Sequence, residues 1–132
     1  MKELNGSEKQ IAWAEDIRKT YIDEIEYEKK ENVIGKTENF SNENIYHMDY
    51  IKAIARKMLG AEDVDQLKKE AGMTLTYQEV ENLPEDEARN YRVSLRVALR
   101  SARAKRYEEA MKLAEKAVEN EESAKWWINH RI

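Results

Sequence analysis

Five arginines lie along one stretch of the sequence at the spacing of an α-helix. They follow one another by three or four residues, which places them within about 80° of a helix circumference: Arg89, Arg92, Arg96, Arg100 and Arg103. We call this set the arginine ridge. Arg106 extends it, and no acidic residue interrupts the sequence from 88 to 106. Because guanidinium groups bind carboxylates and phosphates through paired hydrogen bonds and keep their charge in any environment, the ridge is suited to an anionic partner.

The charge distribution leaves three partners for the ridge open. The chain has 23 Lys and Arg against 27 Asp and Glu, but residues 1–85 hold 12 basic and 19 acidic side chains, whereas residues 86–132 hold 11 and 8. The ridge could pair with acids of the first helix inside the same molecule, bind an RNA or DNA backbone, or bind an acidic protein surface. The net charge of −4 argues against nucleic-acid binding, since domains that bind nucleic acid are usually basic overall. Four acids of the first helix form a possible second docking face: Asp16, Asp23, Glu24 and Glu28.

Other residue types that could do chemistry are scarce. The chain of 132 residues has no cysteine, which excludes disulfides, thiolate metal sites and a cysteine nucleophile. Its two histidines, His47 and His130, stand in no catalytic or zinc-binding motif, and no glycine-rich phosphate loop or EF-hand spacing is present. We interpret His47 as a capping or surface residue. The sequence therefore predicts a protein that is not an enzyme and has no metal site and no cofactor.

The elements that must position these residues are predicted to be helices. Four glycines and one proline leave few turn signals, and apolar residues recur every three or four positions almost throughout. Ser7 and Gln10 form a capping box that begins the first helix. A polar stretch at about residues 30–44 is predicted to be a flexible loop, and a second helix is predicted from about 46 to 59, ended by Gly60.

The second half of the sequence predicts one dominant helix. Acidic residues after Pro84 favour a helix start, and no Gly or Pro interrupts the sequence from there to about 118, so the pattern indicates either one helix of about 35 residues or two with a short break. Apolar residues on both sides of the ridge indicate that neighbouring elements clasp it. Short helical segments are predicted at 62–72 and at 121–129, the latter with Asn120 as the cap. Residues 74–77 alternate like a short strand, but Thr76 and Glu79 also form a possible capping box, which favours a helical turn at 76–81. We expect an all-α single domain over residues 1–132, a small helical bundle with its terminal helices packed on a long central helix.

Three tryptophans lie near the two ends of the chain. Trp126 and Trp127 are adjacent, and because neighbouring helical residues point about 100° apart, only one of them can face the core directly. The simplest interpretation is a C-terminal helix docked on the first helix near Trp13. The alternative is an aromatic anchor for a partner protein.

The two ends together resemble a known group of proteins. Residues 4–18, LNGSEKQIAWAEDIR, and residues 123–131, SAKWWINHR, are similar to the ends of small proteins of Gram-positive phages and other mobile elements. Those proteins share a GS-x-KQI-x-WA-x-x-IR start and an AK-aromatic-WI-x-x-R end around a variable middle. The resemblance covers about 25 residues and implies a structural clasp, formed here by Ile11, Trp13, Ile17, Trp126, Trp127 and Ile128.

The resemblance also carries an expectation about function. Small helical proteins of mobile elements often act by binding, so the chain is expected to inhibit a host defence nuclease or another nucleic-acid-handling protein, as an anti-CRISPR does. The alternative is a nucleic-acid-binding accessory protein that uses the ridge on the helix 85–106. No apolar run reaches the roughly 18 residues of a membrane span, so the expected location is the cytoplasm of the host bacterial cell, with no membrane partner.

Overall fold

The computed structural model describes residues 1–36, 45–60 and 64–132, and the chain is all-α across these ranges. The helices are α1 (Glu8–Glu31), α2 (Ile45–Leu59), α3 (Val64–Glu70), α4 (Tyr77–Glu81), α5 (Glu85–Asn120) and α6 (Ala124–Asn129). No β-strand occurs in the described ranges, and none of their helices combines the length and apolar character that crossing a bilayer requires. The predicted all-α bundle with a long central helix is confirmed.

The helix starts follow local capping. At α1 the Ser7 side chain accepts the Gln10 N–H while the Gln10 side chain accepts the Ser7 N–H, which is the predicted capping box. Thr76 and Glu79 form the same arrangement at α4. Helix α5 runs from Glu85 to Asn120 without a break, which resolves the two lengths that the sequence left open. These helices are set by contacts within four residues, and such contacts can be read from sequence.

The predicted loop at 30–44 is described only in its first part. Lys30 and Glu31 complete α1, and Asn32 ends it in the left-handed conformation with φ 48°, where its N–H donates to the Glu28 carbonyl. Val33 and Ile34 follow in a turn and are buried. Residues 37–44 lie outside the described residues, so the predicted flexibility of the loop stays a prediction.

The start of the last helix corrects the sequence prediction. The predicted cap, Asn120, is the last residue of α5, and its side chain donates to the Lys116 carbonyl. The N-cap of α6 is Ser123, whose hydroxyl accepts the Trp126 N–H at 3.2 Å. Both residue types cap helices well, so the difference comes from backbone hydrogen bonds on either side of Ser123, described below.

The chain forms two compact units, one of residues 1–62 with 107–132 and one of residues 63–106. The predicted domain 1–132 therefore contains both units. Helix α5 contributes its residues up to 106 to the second unit and its residues from 107 to the first. In the first unit, α1 packs mainly against α6 and also against α2. Its buried residues include Ala14, Ile17, Tyr21, Ile25, Met48, Ile51, Ile54, Ala110, Ala114, Val118 and Trp127.

The second unit has a smaller core. Leu67 of α3, Val80 of α4 and Ala88 of α5 are buried, and Leu95 and Leu99 are partly buried. The Tyr91 hydroxyl accepts the Leu75 N–H at 3.0 Å, which holds the segment before α4 against α5. The ridge belongs to this unit.

Candidate functional site

The arginine ridge lies on α5 within the second unit. The side chains of Arg89 and Arg92 are 66% and 51% exposed. Arg96 is also exposed, whereas Arg100, Arg103 and Arg106 are partly buried. The N-terminal half of the ridge is therefore the part best placed to meet another molecule.

The sequence predicted that neighbouring elements cover the apolar residues on both sides of the ridge. In the structure only one side is covered. The side with Ala88, Leu95 and Leu99 is buried or partly buried, whereas Val93 and Val97 are 52% and 50% exposed. The two valines are one helical turn apart and lie next to Arg96. The exposed surface of α5 thus combines guanidinium groups with a small apolar patch.

Arg89, Arg92 and Arg106 form ion pairs with acids of their own unit. Arg92 contacts Glu81 at 2.7 Å, and Arg89 lies 3.6 Å from Glu85 and 3.8 Å from Asp86. Arg106 lies 3.9 Å from Glu70. Exposed pairs of this kind contribute at most about 1 kcal/mol, so a partner's carboxylates can replace them at little cost.

The acids of the predicted docking face on α1 are not equivalent. Asp16 is exposed, and Asp23 is paired with Lys19 at 2.9 Å. Glu24 and Glu28 are only 17% and 12% exposed and contact the imidazole of His47 on α2. Two of the four predicted residues therefore take part in an internal cluster.

His47 is buried, with 6% of its side chain exposed, and the interpretation as a capping or surface residue was wrong. Its Nδ1 contacts Glu24, its Nε2 lies 3.1 Å from Glu28, and its ring is 4.4 Å from that of Tyr27. Burial alone would lower the pKa of His47, but the hydrogen bonds and charges of Glu28 and Glu24 raise it above its ordinary value. Glu28 also accepts the N–H groups of Val33 and Ile34 beyond the end of α1.

The histidine cluster joins one imidazole to two carboxylates. Both ring nitrogens already face carboxylates, and no group of three or more His, Asp or Glu side chains in the described residues is placed to hold a metal ion. The sequence offered one signal for the cluster, the spacing of Glu24 and Glu28, which puts them on one side of α1. Nothing in the sequence indicated that His47, which lies on the next helix, contacts that side of α1.

The two ends of the chain lie together in the first unit. The Asn5 N–H donates to the Glu122 carbonyl at 2.6 Å, and the Asn5 carbonyl accepts the Ala124 N–H at 3.0 Å. These bonds form a single parallel bridge between Asn5 and Ser123 and place Ser123 to cap α6. The segment before α1 and the segment before α6 are thus fixed to each other by backbone contacts.

The clasp residues differ in burial. Trp127 is fully buried, its ring lies 5.2 Å from that of Tyr21 in an edge-to-face arrangement, and its indole N–H donates to the Glu121 carbonyl. Tyr21 in turn donates its hydroxyl to the His130 carbonyl. Ile17 is buried, Ile11, Trp126 and Ile128 are partly buried, and Trp13 is 49% exposed. One of the adjacent tryptophans therefore faces the core, in line with the helical geometry.

Gly6 lies close to Ala124 where the two ends meet, and we expect its replacement with alanine to weaken the first unit. Gly6 has φ 152°, and a Cβ there would lie 3.0 Å from the Ala124 Cβ and 3.0 Å from the Gln10 side-chain oxygen. Strain and crowding together should cost about 2 kcal/mol in the free energy of unfolding measured with urea. The matched control is Gly60→Ala, where φ is also positive but no atom lies within 4 Å. Equal losses in the two variants would show that crowding against Ala124 is unimportant.

No protein-family model matches the chain, and neither characterised proteins nor solved structures show a significant similarity to it.

Proposed function

We propose that this chain is a non-enzymatic inhibitor encoded by a phage or another mobile element, and that it blocks a host defence nuclease of the CRISPR type by binding it. The resemblance of residues 4–18 and 123–131 to proteins of mobile elements supports the source. The clasp between those two segments is compatible with a shared scaffold around a variable middle. The binding surface is then sought in the middle of the chain, where the ridge lies.

The observation that carries the proposal is the combination of exposed valines and arginines on α5. Val93 and Val97 are half exposed, although β-branched residues gain little from an exposed helical position. Arginine beside apolar side chains is the composition that protein interfaces favour, with the apolar group desolvated and the guanidinium bound to a carboxylate. The partner surface should therefore be acidic around a small apolar area.

The neighbouring acids make a phosphate backbone the weaker candidate. Glu81, Glu85 and Asp86 lie within 4 Å of Arg89 or Arg92, so they would repel any anion bound there, and they would repel a backbone of several phosphates more than a single partner carboxylate. Protein surfaces that bind nucleic acid are usually basic throughout, because their affinity comes from neutralising several phosphates at once. The regular spacing of the five arginines still favours direct RNA or DNA binding as the second candidate.

The test is inhibition of a panel of CRISPR nucleases, with the double variant Arg89→Glu/Arg96→Glu as the probe of the surface. We expect the wild-type chain to prevent target cleavage by at least one nuclease and the variant to bind it more than tenfold more weakly, because reversed charges would face the partner's acids. The control is Lys112→Glu/Lys116→Glu, which makes the same change of charge at exposed positions of α5 outside the ridge. Circular dichroism should show that both variants keep the helical fold.

Two outcomes would contradict the proposal. If no nuclease in the panel is bound or inhibited, the inhibitor function fails. If the chain instead binds arbitrary duplex DNA or structured RNA, and the logarithm of the association constant falls linearly with the logarithm of salt concentration, the second candidate is correct. With all five arginines engaged on duplex DNA, that slope would be about −4 to −5.

A further inference from the structure

The first unit has an open groove that neither the ridge nor the histidine cluster uses. Its volume is about 250 Å³, and it is bounded by Trp13 and Ile17 of α1, Tyr50 of α2, and Arg131 and Ile132 after α6. Trp13, Tyr50 and Ile132 are 49%, 40% and 44% exposed. Three large apolar or aromatic side chains thus surround one concave surface and remain accessible at its edge.

The floor of the groove is apolar. Ile17 and Tyr21 are buried there, and the Tyr21 hydroxyl donates to the His130 carbonyl rather than into the groove. The hydroxyl of Thr20, also in the lining, donates to the Asp16 carbonyl. Both hydroxyl protons are therefore engaged inside the protein, and the floor favours an apolar group.

Arg131 gives the groove a positioned cation. Its Nη1 donates to the Ile128 carbonyl at 2.7 Å, and its guanidinium carbon lies 5.4 Å from the centre of the Trp13 ring. Within the described part of the chain, the polar and ring contacts of the Arg131 guanidinium are this carbonyl and this ring, and neither is a carboxylate. A guanidinium held by one hydrogen bond and one aromatic ring keeps further N–H groups for an anion and loses little conformational freedom on binding it.

The size of the groove limits the ligand. Pockets for small molecules usually measure about 300–1,000 Å³, so 250 Å³ in an open groove is sufficient for one large side chain. We infer that the groove binds an aromatic or large aliphatic side chain from an extended segment of a partner protein, and that Arg131 binds an acidic residue next to it. This site is independent of the proposed inhibitor function, because its lining residues all belong to the first unit.

The surrounding charges favour a peptide over a nucleic acid. Stacking on Trp13 and Tyr50 with a phosphate on Arg131 would be the nucleic-acid alternative. However, Asp16 lies one turn after Trp13, Asp49 precedes Tyr50, and both are exposed. A phosphate backbone would bring several charges toward these two aspartates, whereas a peptide segment needs only one acidic side chain against Arg131.

Nuclear magnetic resonance titration of the ¹⁵N-labelled full chain tests the inference. The probe is a blocked pentapeptide, Gly-Gly-Phe-Glu-Gly, with a single glutamate beside the phenylalanine. Its counterparts replace the phenylalanine with alanine or the glutamate with lysine. We expect the first peptide to shift the signals of the Trp13 indole, Tyr50 and Arg131, and each counterpart to bind at least fivefold more weakly. Arg131→Gln and Tyr50→Ala should each weaken binding of the first peptide by a similar factor, whereas Arg56→Gln, an exposed cation of α2 outside the lining, should not.

Three results would overturn the inference. The first is the absence of shifts at the groove with the acidic aromatic peptide at millimolar concentration. The second is equal binding of the alanine counterpart, which would show that no side chain enters the groove. The third is tighter binding of a single-stranded oligouridine at the same residues, which would assign the site to nucleic acid. If the chain inhibits no nuclease, these three titration results can still be interpreted, since none of them involves the ridge.

Discussion

Replacing Trp127 with alanine should lower the free energy of unfolding of the first unit by about 3–5 kcal/mol, the range for truncating a buried tryptophan. Trp127 is fully buried, contacts Tyr21 edge to face at 5.2 Å and Trp126 at 5.0 Å, and donates its indole N–H to the Glu121 carbonyl. Its removal would leave a cavity between α1 and α6, the two helices that share the most extensive contact. Urea unfolding followed by circular dichroism measures the loss.

Trp126→Ala is the matched control for Trp127. It removes the same side chain from the adjacent, partly exposed position, where the ring stacks on His130 at 3.8 Å. We expect a loss of about 1 kcal/mol for this variant, since less apolar surface returns to water. Similar losses in the two variants would contradict the assignment of Trp127 as the residue that joins the ends of the chain.

Replacing His47 with glutamine should be the second most damaging change, with an expected loss of about 3 kcal/mol. Glu24 and Glu28 are 17% and 12% exposed, and without the imidazolium both carboxylates would stay largely out of water with no cation to balance them. Removing one partner of a buried ion pair costs more than the pair itself contributes, because the remaining charge is uncompensated. The measurement is again the free energy of unfolding in urea, at pH 6.

The same cluster predicts how stability depends on pH. The pKa of His47 is raised in the folded chain, so its contribution is complete below the unfolded value of about 6.5 and is lost as the pH rises through the folded value. Wild-type stability should therefore fall as the pH rises above about 6.5, and the His47→Gln variant should lack this part of the decrease. His130→Gln is the control for the other histidine and should keep the decrease. A wild-type profile that rises over this range would show that His47 is not held protonated.

Features set by short-range contacts were predictable from sequence. The capping boxes of Ser7 with Gln10 and of Thr76 with Glu79 join residues three apart, and the start of α5 follows Pro84 and its acids. The ridge was predictable for the same reason, since helical spacing alone aligns its arginines. In each case the information lies within one continuous stretch of the sequence.

Features set by distant partners were not predictable. Whether Asn120 or Ser123 caps α6 depends on the backbone of Asn5, more than a hundred residues earlier. Whether the valines or the leucines beside the ridge are buried depends on where α3 and α4 pack, and both sides carry apolar residues in the sequence. His47 is the clearest case, because a lone histidine reveals nothing about acids it meets on another helix.

The bridge between Asn5 and Ser123 also determines the order in which the chain can fold during synthesis. The first unit is made from residues 1–62 and 107–132, so its core lacks Trp127 until residue 127 has left the ribosome. The second unit is one continuous segment, residues 63–106, whose contacts are all available earlier. Contacts between distant residues form slowly because a long loop must close first. Until α6 emerges, the apolar side of α1 that receives Trp127 stays uncovered on the nascent chain and open to chaperones.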